Sequence, residues 1–170
     1  MAKGNFLHKL YAAGPLFLLY YWSISENEAN LEKVFEIFSF NLQLIIIYFW
    51  IIKRPSLMGV GHIFFVGLIN DVIMSFPLGI SSLSYLVVCF VGNYVRNKSV
   101  NTTIASDWFT FFIALILSNL LFFSLLSNFS DVAISYSKIG YNTFFTLFLF
   151  PVFWLLFNIY QMTFIGGQDA

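Results

Sequence analysis

The feature that most constrains this chain is a succession of long, almost uncharged apolar runs. A helix that crosses the hydrocarbon core of a bilayer needs about 20 mostly apolar residues. Six segments meet or approach that length, at about 6–24, 35–52, 58–76, 79–95, 107–127 and 141–161. The runs are continuously apolar and do not alternate, which selects helices over the strands of a membrane barrel. A water-soluble fold fits poorly, because only 9% of residues are charged while 59% are hydrophobic, and 23 are Phe. Soluble domains carry about a quarter charged residues. The mean hydropathy of +0.83 implies apolar patches that water would drive to aggregate. The expected fold is an all-α integral membrane protein, a single domain over 1–170 arranged as a six-transmembrane-helix bundle.

The connections between these segments are short, as expected of antiparallel neighbours. Ser75-Phe76-Pro77-Leu78-Gly79 reads as a tight reversal, with proline ending one helix and glycine permitting the turn. Basic residues set orientation. Lys3, Lys9, Lys53, Arg54, Arg96 and Lys98 fall on one side if the spans alternate, and only Lys33 and Lys138 fall on the other. Both termini are therefore expected in the cytoplasm. Glu26, Glu28, Glu32 and Glu36 cluster on the outer side. Aromatic residues at span ends, Tyr20, Tyr21, Trp22, Tyr48, Trp50, Trp108, Tyr141 and Tyr160, suit the headgroup layers. The N-terminus lacks the small-residue cleavage site of a secretory signal.

Asp71 stands out as an acidic residue well inside an expected span. Its charge costs on the order of 3 kcal/mol in lipid, so it should face the bundle interior, a cavity or a partner. Helical spacing puts Val60, Phe64, Gly67, Asp71 and Ser75 on one stripe, where Gly67 lets a neighbouring helix approach. By depth, Asn41, Gln43, Asp71, Ser82, Tyr85 and Asn119 form a candidate buried polar layer, with Asn119 or Gln43 as the expected partners of Asp71. Such a layer serves helix registration more often than ligand binding. His62 lies nine residues before Asp71, on the opposite helix face, so a shared metal or proton relay is not expected. Ser82, Tyr85, Cys89 and Gly92 form a helix-contact stripe. Pro15 and Pro151 interrupt their spans and release the carbonyls of Tyr11 and Leu147.

Other classes are not suggested. The net charge of zero gives no long-range attraction to nucleic acid. The single cysteine, Cys89, forms no internal disulfide, and no Cys/His spacing suits a metal. Phosphate-cradling loops, GxSxG and HExxH are missing from the sequence. No cofactor is expected.

Residues 48–79 carry a pattern: Tyr48-Phe49-Trp50, then Arg54-Pro55, Gly67, Asp71 and Pro77-Leu78-Gly79. This resembles the rod shape-determining protein MreD family, which shares an aromatic helix end, an Arg-Pro boundary, a glycine–aspartate helix and a Pro-Leu-Gly turn. The resemblance implies helix-packing roles for Arg54, Pro55, Gly67, Asp71, Pro77 and Gly79. It also implies a fold similar to the substrate-binding subunits of energy-coupling-factor transporters. The implied role is non-enzymatic: a membrane scaffold or regulator of elongation-mode peptidoglycan synthesis and rod cell shape. It would sit in the bacterial inner membrane among lipid, beside MreC and, through it, MreB, RodA and a penicillin-binding transpeptidase. The competing reading is a small-molecule-binding membrane subunit of a vitamin-type transporter. That reading requires an outward cavity lined by the Asp71 layer.

Overall fold

The structure, a computed structural model, describes residues 2–25, 40–98, 103–129 and 136–165. Among these residues it is entirely helical, with α1 at Ala2–Ser25, α2 at Leu42–Lys53, α3 at Val60–Ile73, α4 at Ile80–Lys98, α5 at Ile104–Phe129 and α6 at Tyr136–Tyr160. A π-helical turn, Gln161–Ile165, continues α6.

Local chemistry sets the helix ends. Asn41 caps α2, its side-chain oxygen accepting the Leu44 amide at 3.2 Å, which satisfies a donor that the first turn leaves open. The other end is dictated by Pro55. Proline disfavours helical geometry in the residue before it, and Arg54 departs to φ −148°, ψ 71°. Helix α3 stops at Ile73, and the chain reverses through Ser75 at φ 55° and Gly79 at φ 100°. The Gly79 conformation is one that side chains rarely adopt, so glycine is required there. Thr103 begins α5, its hydroxyl accepting the Ser106 amide at 3.3 Å.

Helix α2 sits at the centre. Every residue from Leu42 to Ile52 is buried. The other helices form a ring around it in the order α1, α3, α4, α5, α6, and the turn after α6 returns to α1. Aromatic side chains fill the space between α2, α5 and α6. Phe111 and Phe150 stack at 4.3 Å, Tyr48 packs on both, and Phe49 and Trp50 pack on Phe157. Offset and tilted ring pairs of this kind contribute about 0.5–1.5 kcal/mol each beyond area burial.

Large apolar side chains also stand on the ring's outer surface. Phe90 is 73% exposed, and Phe17, Phe65, Phe109, Leu120 and Phe148 are also exposed. Two helical segments, Ile104–Phe129 and Ile139–Ile165, are long and apolar enough to cross a membrane. Helices α2 and α3 are apolar but shorter, at 12 and 14 residues.

Several sequence expectations shift. The first and fifth helices extend beyond both expected limits, the fourth runs on to Lys98 and the sixth begins earlier, at Tyr136, whereas the third, expected over 58–76, spans only Val60–Ile73. The second helix, expected over 35–52, begins only at Leu42, after the non-helical Phe40 and Asn41; residues 35–39 lie outside the described residues, as does the Glu26–Glu36 cluster. The buried face of α3 is Ile63, Val66, Gly67, Asn70 and Asp71. Val60, Phe64 and Ser75, expected on the Asp71 stripe, are exposed. A helix packed between two neighbours buries a face about two residues wide, at spacings of three and four, and a single-file stripe misses half of it.

Candidate functional site

Asp71 is fully buried in the elbow between α3 and α4. Its Oδ2 accepts the Gly79 amide at 2.7 Å and its Oδ1 accepts the Ser81 amide at 2.9 Å. These amides belong to the first turn of α4, where helical geometry leaves N–H groups without carbonyl partners. The carboxylate therefore caps a helix from outside its own sequence. The positive end of the helix dipole favours negative charge there, and charge-assisted bonds to main-chain amides are the stronger kind. The turn itself is tied to α3, since the Phe76 amide donates to the Asp71 carbonyl at 2.9 Å.

The polar contacts continue from this cap toward α2. Asn70 is 6% exposed. Its amide donates to Ser81 Oγ at 3.1 Å, and its Oδ1 accepts from Gln43 at 3.5 Å. One turn earlier, Gly67 lies against the backbone of Ser82. A Cβ on Gly67 would come within 2.5 Å of the Ser82 nitrogen and 2.7 Å of its Oγ. The Ser82 hydroxyl donates to the Phe64 carbonyl at 2.9 Å. Helices α3 and α4 thus meet backbone to backbone, the approach that small residues permit inside membranes.

The expected single polar layer resolves into local pairings. Gln43 and Asp71 belong to the α2–α3–α4 junction through Asn70 and Ser81. Asn41 caps α2, and its own amide donates to Thr146 Oγ1 at 2.8 Å. Asn119 donates to Thr143 Oγ1 at 2.8 Å, joining α5 to α6. Tyr85 is buried on α4. The partners expected for Asp71, Asn119 and Gln43, are replaced by Gly79 and Ser81, because main-chain amides in the adjoining turn lie closer than any side chain across the bundle. Of the resembling residues, Arg54 and Pro55 end α2, Gly67 and Asp71 join α3 to α4, and Pro77 and Gly79 shape the turn between them.

A second polar centre went unread in the sequence. Lys53 at the end of α2 pairs with Asp107 of α5 at 3.5 Å. Trp154 of α6 donates its indole N–H to the same Asp107 Oδ2 at 3.0 Å, and the Lys53 ammonium lies 5.2 Å from the Trp154 ring centroid. The signal was present: opposite charges at the same end of two expected spans. Asn70 was missed for the same reason as the wider buried face of α3.

Both prolines are compensated. Tyr160 donates its hydroxyl to the Tyr11 carbonyl at 2.9 Å, and Trp108 donates its indole N–H to the Leu147 carbonyl at 2.9 Å. These are the carbonyls that Pro15 and Pro151 leave without a helical donor. His62 lies apart from Asp71, on the exposed side of α3, with Nδ1 3.3 Å from the Tyr20 hydroxyl. Among the described residues no group of His, Cys, Asp or Glu is placed to hold a metal ion. Comparison with protein-family models, with curated proteins and with solved structures gives no match. Among the described residues, the class defined here is all-helical, with two helices long and apolar enough to cross a membrane.

Proposed function

We propose that this chain crosses the bacterial inner membrane six times with both termini in the cytoplasm. There it acts beside MreC as a non-enzymatic scaffold or regulator of elongation-mode peptidoglycan synthesis and rod shape. Through MreC it belongs with MreB, RodA and a penicillin-binding transpeptidase. The observation that supports this reading best is the use made of the MreD-like residues. Gly67, Asp71 and Gly79 are spent on closing α3 onto α4, and Trp50 to Pro55 on burying and ending α2. A pattern that rigidifies a bundle suits a protein whose product is its shape.

The short central helix is compatible with six crossings. A 12-residue helix rises about 18 Å, less than the roughly 30 Å of hydrocarbon. Helix α2 is sheathed by its neighbours from Leu42 to Ile52, and backbone buried in protein tolerates interruption at membrane depth. The transporter alternative requires a cavity beside Asp71. That carboxylate is instead closed over by the Gly79 and Ser81 amides.

Co-purification tests the reading. The full chain, extracted in mild detergent, should carry MreC with it, and its depletion should turn rods into round cells while isolated transpeptidase chemistry persists. Polymerisation or hydrolysis of lipid-linked cell-wall precursor by the purified chain alone would overturn it.

A further inference from the structure

Between the C-terminal half of α4 and the start of α5 lies a groove of about 370 Å³, lined by Phe90, Val91, Tyr94, Val95, Thr110 and Ile113. That volume falls within the roughly 300–1,000 Å³ of ligand clefts. The Thr110 hydroxyl donates to the Ser106 carbonyl at 2.8 Å and also meets the Tyr48 hydroxyl. It is turned into the protein, which leaves the groove wall apolar. Phe90 and Tyr94 are 73% and 59% exposed, so the groove opens to the surroundings of the bundle.

We propose that this groove holds an acyl chain of an anionic glycerophospholipid, with Lys98 meeting its phosphate. The proposal rests on the membrane reading above. The stripe on α4 supplies the argument. At about 100° per residue, Tyr94 lies roughly 40° from Phe90, Lys98 roughly 80° and Val91 roughly 100°. Lys98 therefore stands in the middle of the groove face, one turn beyond Tyr94, at the helix end. Helical side chains lean toward the N-terminus, so its stem points back along the groove. Lys98 is exposed. Arg96, also exposed, lies roughly 240° from Phe90, off this face. On α5, Ser106 precedes Thr110 by one turn and Ile113 by two, and it is exposed at the same end. Apolar walls below one cation match a hydrocarbon chain below one phosphate. A partner helix fits less well. The α4 lining runs only from Phe90 to Val95, about 9 Å of rise, shorter than the contact face of a helix about 10 Å across. With the topology proposed above, the Lys98 end faces the cytoplasmic leaflet, where anionic lipids attract basic residues.

The test uses the full chain in bilayer nanodiscs of mixed phosphatidylglycerol and phosphatidylcholine. Spin-labelled versions of each lipid, with identical chains, report the fraction immobilised by the protein. The wild type should prefer phosphatidylglycerol by about fivefold, the scale of one lysine near a membrane surface. Lys98→Gln, at an exposed position, should bring the two lipids near parity, while Arg96→Gln should leave the preference intact. Val91→Phe, which fills the groove, should lower immobilisation of both lipids. Parity in the wild type overturns the proposal, as does equal loss with Arg96→Gln and Lys98→Gln, which would mark diffuse charge. So does a protein crosslink, with no lipid adduct, from a photoreactive residue at position 90 in native membranes. Release of the full chain from native membranes by alkaline carbonate would defeat the membrane reading itself and the proposal with it.

Discussion

Asp71 shows how one carboxylate can be fully buried with no cationic partner among the described residues. Both of its oxygens accept main-chain amides, and that decides what can replace it. An asparagine keeps one acceptor but turns an NH2 group toward an amide N–H. Asp71→Asn is therefore expected to lower stability by about 1–3 kcal/mol, the cost of a buried unsatisfied donor, as measured by denaturant unfolding in detergent. Asp71→Leu should cost at least as much. Wild-type stability in Asp71→Asn would remove the cap from the account. Gly67 makes a parallel case. Gly67→Ala drives a methyl group into the Ser82 backbone, and overpacking of this kind costs about 1–3 kcal/mol. Gly61 has nothing within 4 Å of its would-be Cβ. Gly61→Ala should be neutral or stabilising by about 0.5–1 kcal/mol, the helical preference for alanine. Equal behaviour of the two alanine variants, by the same unfolding measurement, would mean that the α3–α4 contact is looser than described.

Helix by helix, polar side chains act as clamps between elements. Pro151 deprives the Leu147 carbonyl of its helical donor, and the Trp108 indole supplies a substitute from α5. Trp108→Phe should cost about 1 kcal/mol in the native chain. Pro151→Ala restores a local N–H, so the same tryptophan change should then cost less, and a double-mutant cycle reads the difference as coupling. Additive effects would show that the indole bond and the proline are independent. The clamp at the C-terminal end of α2 is ionic. Lys53→Met leaves Asp107 buried beside Trp154 without its cation, and removing one partner of a buried pair costs about 3 kcal/mol. Lys53→Met combined with Asp107→Leu should recover much of that loss, because no buried charge remains. A double variant as unstable as the single one would assign the loss to packing.

At the scale of the whole molecule, the six-to-two distribution of basic residues is what the proposed topology rests on, and it can be tested directly. In a chain with Cys89 replaced, a cysteine at position 29 should react with a membrane-impermeant maleimide added outside the cell. A cysteine at position 98 should react only after permeabilisation. The reverse pattern, or labelling that implies an odd number of crossings, refutes the proposed arrangement. The order of helices around α2 bears on function as well. The central helix shares its surface with the ring, so variants inside α2 should affect folding and membrane level together. Under the proposed function, variants on the exposed faces of α5 and α6 should leave membrane level intact and lower co-purification of MreC alone.

Apolar run length and the lack of alternation are one-dimensional properties, so the helical class and most helix positions were legible from the chain. The same holds for the turn at Pro77 to Gly79 and for the two carbonyls that proline releases, since each depends on backbone chemistry within a few residues. What the sequence could not contain was azimuth and neighbour identity. A single-file stripe of five positions misplaced Val60, Phe64 and Ser75 and overlooked Asn70, because the width of a buried face is set by how many helices pack on it. Asp71 was legible as a buried group, but its partners were not. They are main-chain amides, which every residue carries, and only the fold of the elbow selects Gly79 and Ser81. The meeting of Lys53, Asp107 and Trp154 depends on three helices converging at one level, as does the choice of α2 as the helix that all the others enclose. Helix α2 is the most apolar of the described helices per residue, but α3 is close behind and is not enclosed. The enclosure of α2 follows from the closure of a ring of five helices, a property of the assembled bundle and of no single segment.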